Sequence, residues 1–340
     1  MQRQRDNFID IIKIYACILV VLGHFVQSIL KAGIVGDVPF LLWFVETIYY
    51  FHVPLFFICS GYLYNKYSVV KTFSQWKNNS VKKLIALGIP YLVFSTVTWG
   101  LKNFFASAVN DQTQGYFESI FLNPISPYWY LYALILIFVI TPTFFSKKSA
   151  IVISLIAVVL KVMTVLSINT GVYAVDIVMQ NLFWFVLGMH LHIFDMIEKV
   201  KIKTNLTFAT MLAFVFIAGS VISYLYEMGF AFIGFLLGLT ACISTIIFAV
   251  ISGDTAVVGV INKTLSKYTM PVFLMHTIFA AGLRSVLLKL SITNGTVHIV
   301  LGLIISFLGP VIATVIIERI KYLDFILYPN KYIKIKSRGN

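Results

Sequence analysis

The chain has 340 residues, 59% of them hydrophobic and 11% charged, with a mean hydropathy of +0.92 and a net charge of +13. That composition excludes an ordinary soluble domain and describes a multi-pass membrane protein, for which length is no guide to domain count. The positive balance does not point to nucleic acid, because the basic residues sit in short segments between apolar runs.

Ten runs are long enough to cross a bilayer, at about residues 9–30, 40–64, 84–106, 128–146, 149–168, 176–194, 205–226, 230–252, 268–288 and 297–318. They predict an all-α polytopic membrane protein: a bundle of about ten transmembrane helices, forming a single domain over residues 1–340. The first run reads as a retained helix, not a cleaved signal peptide. It carries a histidine at depth, exceeds an h-region and lacks a small-residue cleavage pattern. Counting Lys and Arg tests the orientation. With the N-terminus inside, 21 of the 26 fall on the inner side. Lys31, Lys102, Lys161, Arg284 and Lys289 remain outside or at membrane depth. This bias predicts both termini cytoplasmic.

Within the first run, Lys13 and His24 stand eleven residues apart. On a helix that is about three full turns and about 16 Å, so the two share one face near opposite sides of the bilayer. Charged and polar groups at such depth face the bundle interior or water. The bland reading is a snorkelling lysine and a histidine bonded to a neighbouring helix.

The segment from Asn65 to Lys83 is basic, with Lys66, Lys71, Lys77, Lys82 and Lys83 and no acid. It reads either as a topology and lipid anchor or as a docking surface for a cytosolic, phosphate-bearing donor. The outer segment from Ser107 to Pro127 is polar and caps a site or simply links two helices.

Depth counted at about 1.5 Å per residue puts His24, Glu46 and Lys161 at one level in the outer half of the membrane. A carboxylate such as Glu46 on one imidazole nitrogen would fix the tautomer and leave the other nitrogen as a base. His52 and His276 sit nearer the midplane, as packing glue or as part of a polar cavity. Cys17, Cys59 and Cys242 lie inside apolar runs, and no deep histidines have ligand spacing, so no metal is expected. No phosphate loop or serine elbow is present. A deep histidine acting alone suits removal of a proton from a hydroxyl that attacks an already activated acyl group.

Several segments resemble the acyltransferase-3 family of integral membrane O-acyltransferases. Asp10-Ile-Ile-Lys13 followed by His24 is similar to that family's opening. Val53 to Leu63, with Ser60-Gly61-Tyr62, resembles its apolar run ending in Ser-Gly-aromatic. Lys82-Lys83 ahead of Pro90-Tyr91 resembles its basic pair before Pro-Tyr, with lysine where arginine is usual. Trp129-Tyr130-Leu131, Phe185 to Met189 and Phe273 to His276 also fit.

The resemblance covers essentially the whole chain. It implies transfer of an acyl group, most often acetyl from acetyl-CoA, to a hydroxyl of a cell-surface glycan or lipid-linked sugar. It makes His24 the base and Lys13 the group that faces the cofactor or stabilises developing charge. Lys66, Lys82, Lys83 and Tyr91 become the donor-binding set, with point charges in place of bidentate arginines. Asp10, Ser60, Trp129, Lys161 and His276 become substrate or structural support; Glu46 and Lys161 rest on depth alone. The bacterial plasma membrane is the implied location. No fused extracytoplasmic domain is seen, so the protein completes transfer itself or hands the group to a partner protein. Two other readings stay open. One is a transporter or exporter of a small polar substrate, against which stands the lack of a repeat. The other is a non-catalytic subunit of a polysaccharide assembly machine.

Overall fold

The computed structural model describes residues 6–68, 70, 72–105, 114–143, 146–203, 206–229, 231–253 and 262–334. Among the described residues there is no strand, and nine helical spans, one of them the broken helix over residues 39–67, are long and apolar enough to cross a membrane. The helices are α1 Asn7–Lys31, α2 Pro39–Tyr49, α3 His52–Tyr67, α4 Phe73–Phe104, α5 Trp129–Ile140 and α6 Lys147–Val165. They continue as α7 Tyr173–Ile193, α8 Met196–Lys203, α9 Leu206–Leu225, α10 Ala231–Ser252, α11 Thr269–Lys289 and α12 Gly295–Arg319.

Three elements differ from the sequence reading, each for a local reason. The run expected over 40–64 is two helices, broken at Tyr50-Phe51. Pro54, in the first turn of α3, has no N–H to donate, and its ring opposes the carbonyl four residues back, that of Tyr50. The run expected over 128–146 contracts to α5, twelve residues and about 18 Å, well short of a bilayer core. Pro142 forces the extended conformation seen at Thr141, with ψ 116°, and stops the helix there. In the third case α4 begins at Phe73, not near residue 84, because Thr72 caps it by accepting the Gln75 N–H at 3.2 Å. Lys77, Lys82 and Lys83 therefore ride on α4 and Lys66 on α3, while Lys71 lies outside the described residues. In the polar outer segment, residues 107–113 also lie outside them, and Glu118–Leu122 forms a π-helical turn.

The chain divides into two compact units, and α1 contributes to both: residues 1–20, 39–69 and 143–269 form one, and residues 21–38, 70–142 and 270–340 the other. The first unit is built on close backbone approach. A Cβ placed on Gly61 of α3 would lie 1.9 Å from the Phe185 carbonyl oxygen. One on Gly188 of α7 would lie 1.9 Å from that of Ile58. Small residues in reciprocal register let two helices touch along their backbones, where dispersion contacts replace the hydrophobic drive that lipid removes. Gly238 of α10 packs against the break in the same way, since its Cβ would lie 2.4 Å from the Tyr50 oxygen.

The second unit gathers the C-terminal part of α1 with α4, α5, α11 and α12. Gly302 and Gly309 of α12 lie against the rings of Phe25 and Phe279, where a Cβ would come within 2.4 and 2.5 Å. Tyr128, fully buried, ties the helices together: its Oη donates to the Leu274 carbonyl at 2.9 Å and lies 2.8 Å from Thr98 Oγ1. Short 3-10 turns at Leu323–Ile326 and Pro329–Lys331 pack back onto α4. There Asp324 is buried and accepts from Lys331 and Tyr332.

Candidate functional site

The second unit holds a cavity of about 530 Å³, within the range of small-molecule sites. His24 of α1 and His276 of α11 both line it, with ring centroids 5.4 Å apart and planes inclined by 44°. His276 is almost wholly buried. Its Nδ1 lies 3.0 and 2.9 Å from the carbonyl oxygens of Val272 and Phe273, one helical turn back. Carbonyls only accept, so Nδ1 carries the proton and Nε2 presents a lone pair. Among the described residues that Nε2 has no hydrogen-bond partner, and it is sealed from solvent. An orphaned buried acceptor is costly, and such atoms in native folds call for an explanation such as catalysis.

The rest of the wall is cationic. Lys31, Lys102, Arg284 and Lys289 line the same cavity, and among its described lining residues there is no carboxylate. These are four of the five basic residues left outside the inner-side count. Sequence reasoning did not join them to His24, although their exclusion from that count was a usable signal. Arg284 is buried, and its Nη1 donates to the Ser28 carbonyl at 3.3 Å and to the Ser28 hydroxyl, one turn beyond His24.

The other expected residues fall elsewhere. Asp10 and Lys13 lie on the part of α1 in the first unit, where both act electrostatically on the buried thiol of Cys59. Ser60 sits half-buried beside Gly61 on α3. Glu46, expected to orient an imidazole, instead accepts from the Tyr50 hydroxyl at 2.6 Å, and that hydroxyl lies 3.4 Å from Ser223 Oγ. Lys161 donates to the Gln180 carbonyl at 3.1 Å, with its ammonium 5.5 Å from the Trp184 ring and 5.4 Å from that of Phe235. Glu46 and Lys161 both belong to the first unit and His24 to the second.

Of the residues expected to hold a donor, Lys66 is paired with Asp6 at 2.6 Å, and the Tyr67 hydroxyl reaches the same carboxylate at 3.1 Å. Lys82 and Lys83 lie almost three turns into α4, and the Lys83 ammonium sits 4.5 Å from the Phe138 ring centre. Tyr91 donates to the Ile120 carbonyl at 2.5 Å and so anchors the π-helical turn. Trp129 opens α5.

The family model described as an acyltransferase domain, that of the acyltransferase-3 group, matches residues 6–315. The chain is 29% identical to a nodulation protein NolL of Mesorhizobium japonicum, over 45% of this chain and 40% of that protein. A nodulation protein NolL of Sinorhizobium fredii is 30% identical, over 48% of this chain and 45% of its own length. The chain thus spans less than half the length of the curated relatives it matches. No solved structure matches it.

Proposed function

The chain belongs to the acyltransferase-3 family, and from that premise we propose that it moves an acyl group, acetyl in the first instance, from acyl-CoA to a hydroxyl of a cell-surface glycan or lipid-linked sugar. The observation that carries this reading is the placement of His24 against His276 on a cavity large enough for a substrate. His276 takes over the role that depth had suggested for Glu46. Its Nε2, unpartnered among the described residues, is placed to accept a hydrogen bond from one nitrogen of His24 once the two rings turn toward each other in catalysis, which fixes the tautomer of His24 and leaves its other nitrogen as the base.

In the reaction, His24 removes the proton of the acceptor hydroxyl as that oxygen bonds to the thioester carbonyl carbon. The tetrahedral intermediate then collapses, the carbon–sulfur bond breaks, and the departing CoA sulfur takes up the proton. No covalent enzyme intermediate is needed, because the thioester is already activated. Lys13 lies about 16 Å from His24 along α1 and so serves the donor's route, not the reacting atoms. Lys82 and Lys83 hold donor phosphates in the same reading. Both termini face the cytoplasm, and the protein acts as a single domain in a bacterial plasma membrane, either alone or with a partner protein that completes transfer.

The test is acyl transfer from labelled acetyl-CoA in purified membranes, wild type against His24→Ala at matched protein levels. Label should enter a glycan or lipid with the wild type and fall by about two to four orders of magnitude in the variant, as expected for loss of a general base. Equal transfer by both would remove His24 from the mechanism. If the wild type binds no acetyl-CoA, an anion transporter becomes the better reading of the same cavity.

A further inference from the structure

The cationic wall of the cavity is more than the proton-transfer chemistry uses. Lys31 and Lys289 are the last residues of α1 and α11, and Lys102 stands in the last turn of α4. Taken singly, each complements the negative end of its helix dipole. That explanation does not reach Arg284, which sits more than a turn inside α11 and is buried. It also does not account for all four converging on one cavity with no carboxylate among the described lining residues. Four cationic side chains lining one partly desolvated space give it a positive potential that attracts an anion.

We propose that this wall binds a phosphate or pyrophosphate group of the acceptor, so that the acceptor is an anionic, phosphate-linked glycan and not a neutral one. The proposal rests on the acyl-transfer reading and adds the chemical class of its substrate. Arg284 supplies the planar fork that matches phosphate oxygens, and Ser28 holds that fork in place through its carbonyl and hydroxyl. Lys31, Lys102 and Lys289 surround it as point charges. Ser28 follows His24 by one turn of α1, so an acceptor anchored at Arg284 brings its nearby sugar hydroxyls toward the imidazole pair.

The phosphates of CoA are the other source of this chemistry. Lys83 and Lys102 are on the same helix, nineteen residues apart, which is about 29 Å. Donor phosphates held at Lys82 and Lys83 therefore lie about a membrane thickness from Lys102, the cation that α4 brings to the cavity.

The experiment uses the full chain in a neutral maltoside detergent. Thermal unfolding is followed during titration with inorganic pyrophosphate and, separately, with acetyl-CoA. The variants are Arg284→Gln, the exposed pair Lys31→Gln/Lys289→Gln, and Lys82→Gln/Lys83→Gln. The lysine pair keeps the test open should the buried Arg284 variant fail to fold. Pyrophosphate should stabilise the wild type, with an apparent affinity at least roughly tenfold weaker in the Lys31/Lys289 variant, as expected for lost charge-assisted contacts. The Lys82/Lys83 variant should keep that affinity and lose stabilisation by acetyl-CoA instead. No pyrophosphate effect on the wild type, or an equal effect in the Lys31/Lys289 variant, overturns the proposal. Loss of both ligands together in that variant also overturns it and assigns the wall to the donor. A wild type stabilised by pyrophosphate but not by acetyl-CoA fails the acyl-transfer reading separately.

Discussion

In the first unit, three ionisable side chains at membrane depth, His52, Lys161 and Glu46, meet neighbours of their own. His52 donates from Nδ1 to the Ile48 carbonyl at 2.6 Å, which satisfies an acceptor beside the helix break. Lys161 is met by the Gln180 carbonyl and two aromatic rings, and Glu46 by Tyr50. In the second unit the deep polar groups instead surround a cavity of about 530 Å³. His276 there retains an unpartnered buried nitrogen among the described residues. The same residue types thus have two uses in one chain. A polar group whose partner lies on the neighbouring segment is glue, whereas one that leaves an acceptor without a partner beside a cavity is available for chemistry.

That contrast breaks most visibly at the glycine seam. Gly61→Val and Gly188→Val each push side-chain atoms into a facing backbone carbonyl that cannot move aside. Overpacking of this kind costs several kcal/mol, at the upper end of about 1–3 kcal/mol or beyond. We expect almost no monodisperse protein from either variant in a detergent-extraction assay. Gly100→Ala, with open space around its Cα, should extract like the wild type. Normal extraction of Gly188→Val would mean that α3 and α7 are further apart than described.

The two deep histidines, His24 and His52, sharpen the comparison next. His24→Ala should abolish acyl transfer by the two to four orders stated above while leaving the melting temperature close to wild type. His52→Ala should do the reverse. It removes one of two donors to the buried Ile48 carbonyl, which keeps the Phe51 N–H at 3.2 Å, and empties a packed site, costing about 1 kcal/mol or more, yet transfer per folded molecule should be unchanged. Transfer lost in His52→Ala at full stability would dissolve the distinction between glue and site.

A smaller effect separates positioning from base. His276→Ala should lower transfer about tenfold, because His24 keeps its basicity but loses its fixed tautomer. His276→Gln, whose amide oxygen can accept the same hydrogen bond, should recover most of that loss. Equal activity of the Ala and Gln variants would reduce His276 to packing.

The smallest expected effect lies at the C-terminal turns. The hydrogen bond from Lys331, with that from Tyr332, holds the Asp324 carboxyl below the ordinary carboxylate range. A depressed folded-state value means that the stabilisation is present above the unfolded value of about 3.9 and is lost as pH falls through the folded one. Proteolytic cutting near residues 323–332 should therefore rise between about pH 4 and more acid conditions. Asp324→Asn should be cut readily at every pH; a wild type with the same flat profile would remove the ion pair from the account.

Much of the fold was legible in the chain. Hydropathy marks the helices because lipid leaves the backbone no partner but itself. The three departures also had local signals that were underweighted: Pro54 at the break in the second run, Pro142 at the end of α5, and Thr72 as the cap of α4. The site was legible only in part. The spacing of Lys13 and His24 on one helix placed both on a common face, because periodicity fixes azimuth within an element. Glu46 and Lys161 were grouped with His24 by depth, which is a single coordinate. Depth says nothing about which wall of which unit a side chain joins.

Composition and periodicity by themselves determined that this is an all-helical membrane protein, and the run of motifs around His24 determined its family resemblance. Both are properties of short stretches, governed by transfer into lipid and by the pitch of one helix. Only the tertiary structure decided that His24 meets His276, that Ser28 carries Arg284, and that four cations scattered from residue 31 to residue 289 share one cavity. Those neighbours come from α1, α4 and α11, far apart in the chain. They are brought together by packing at glycines and by Tyr128, whose partners are set by shape and not by any local pattern of residues.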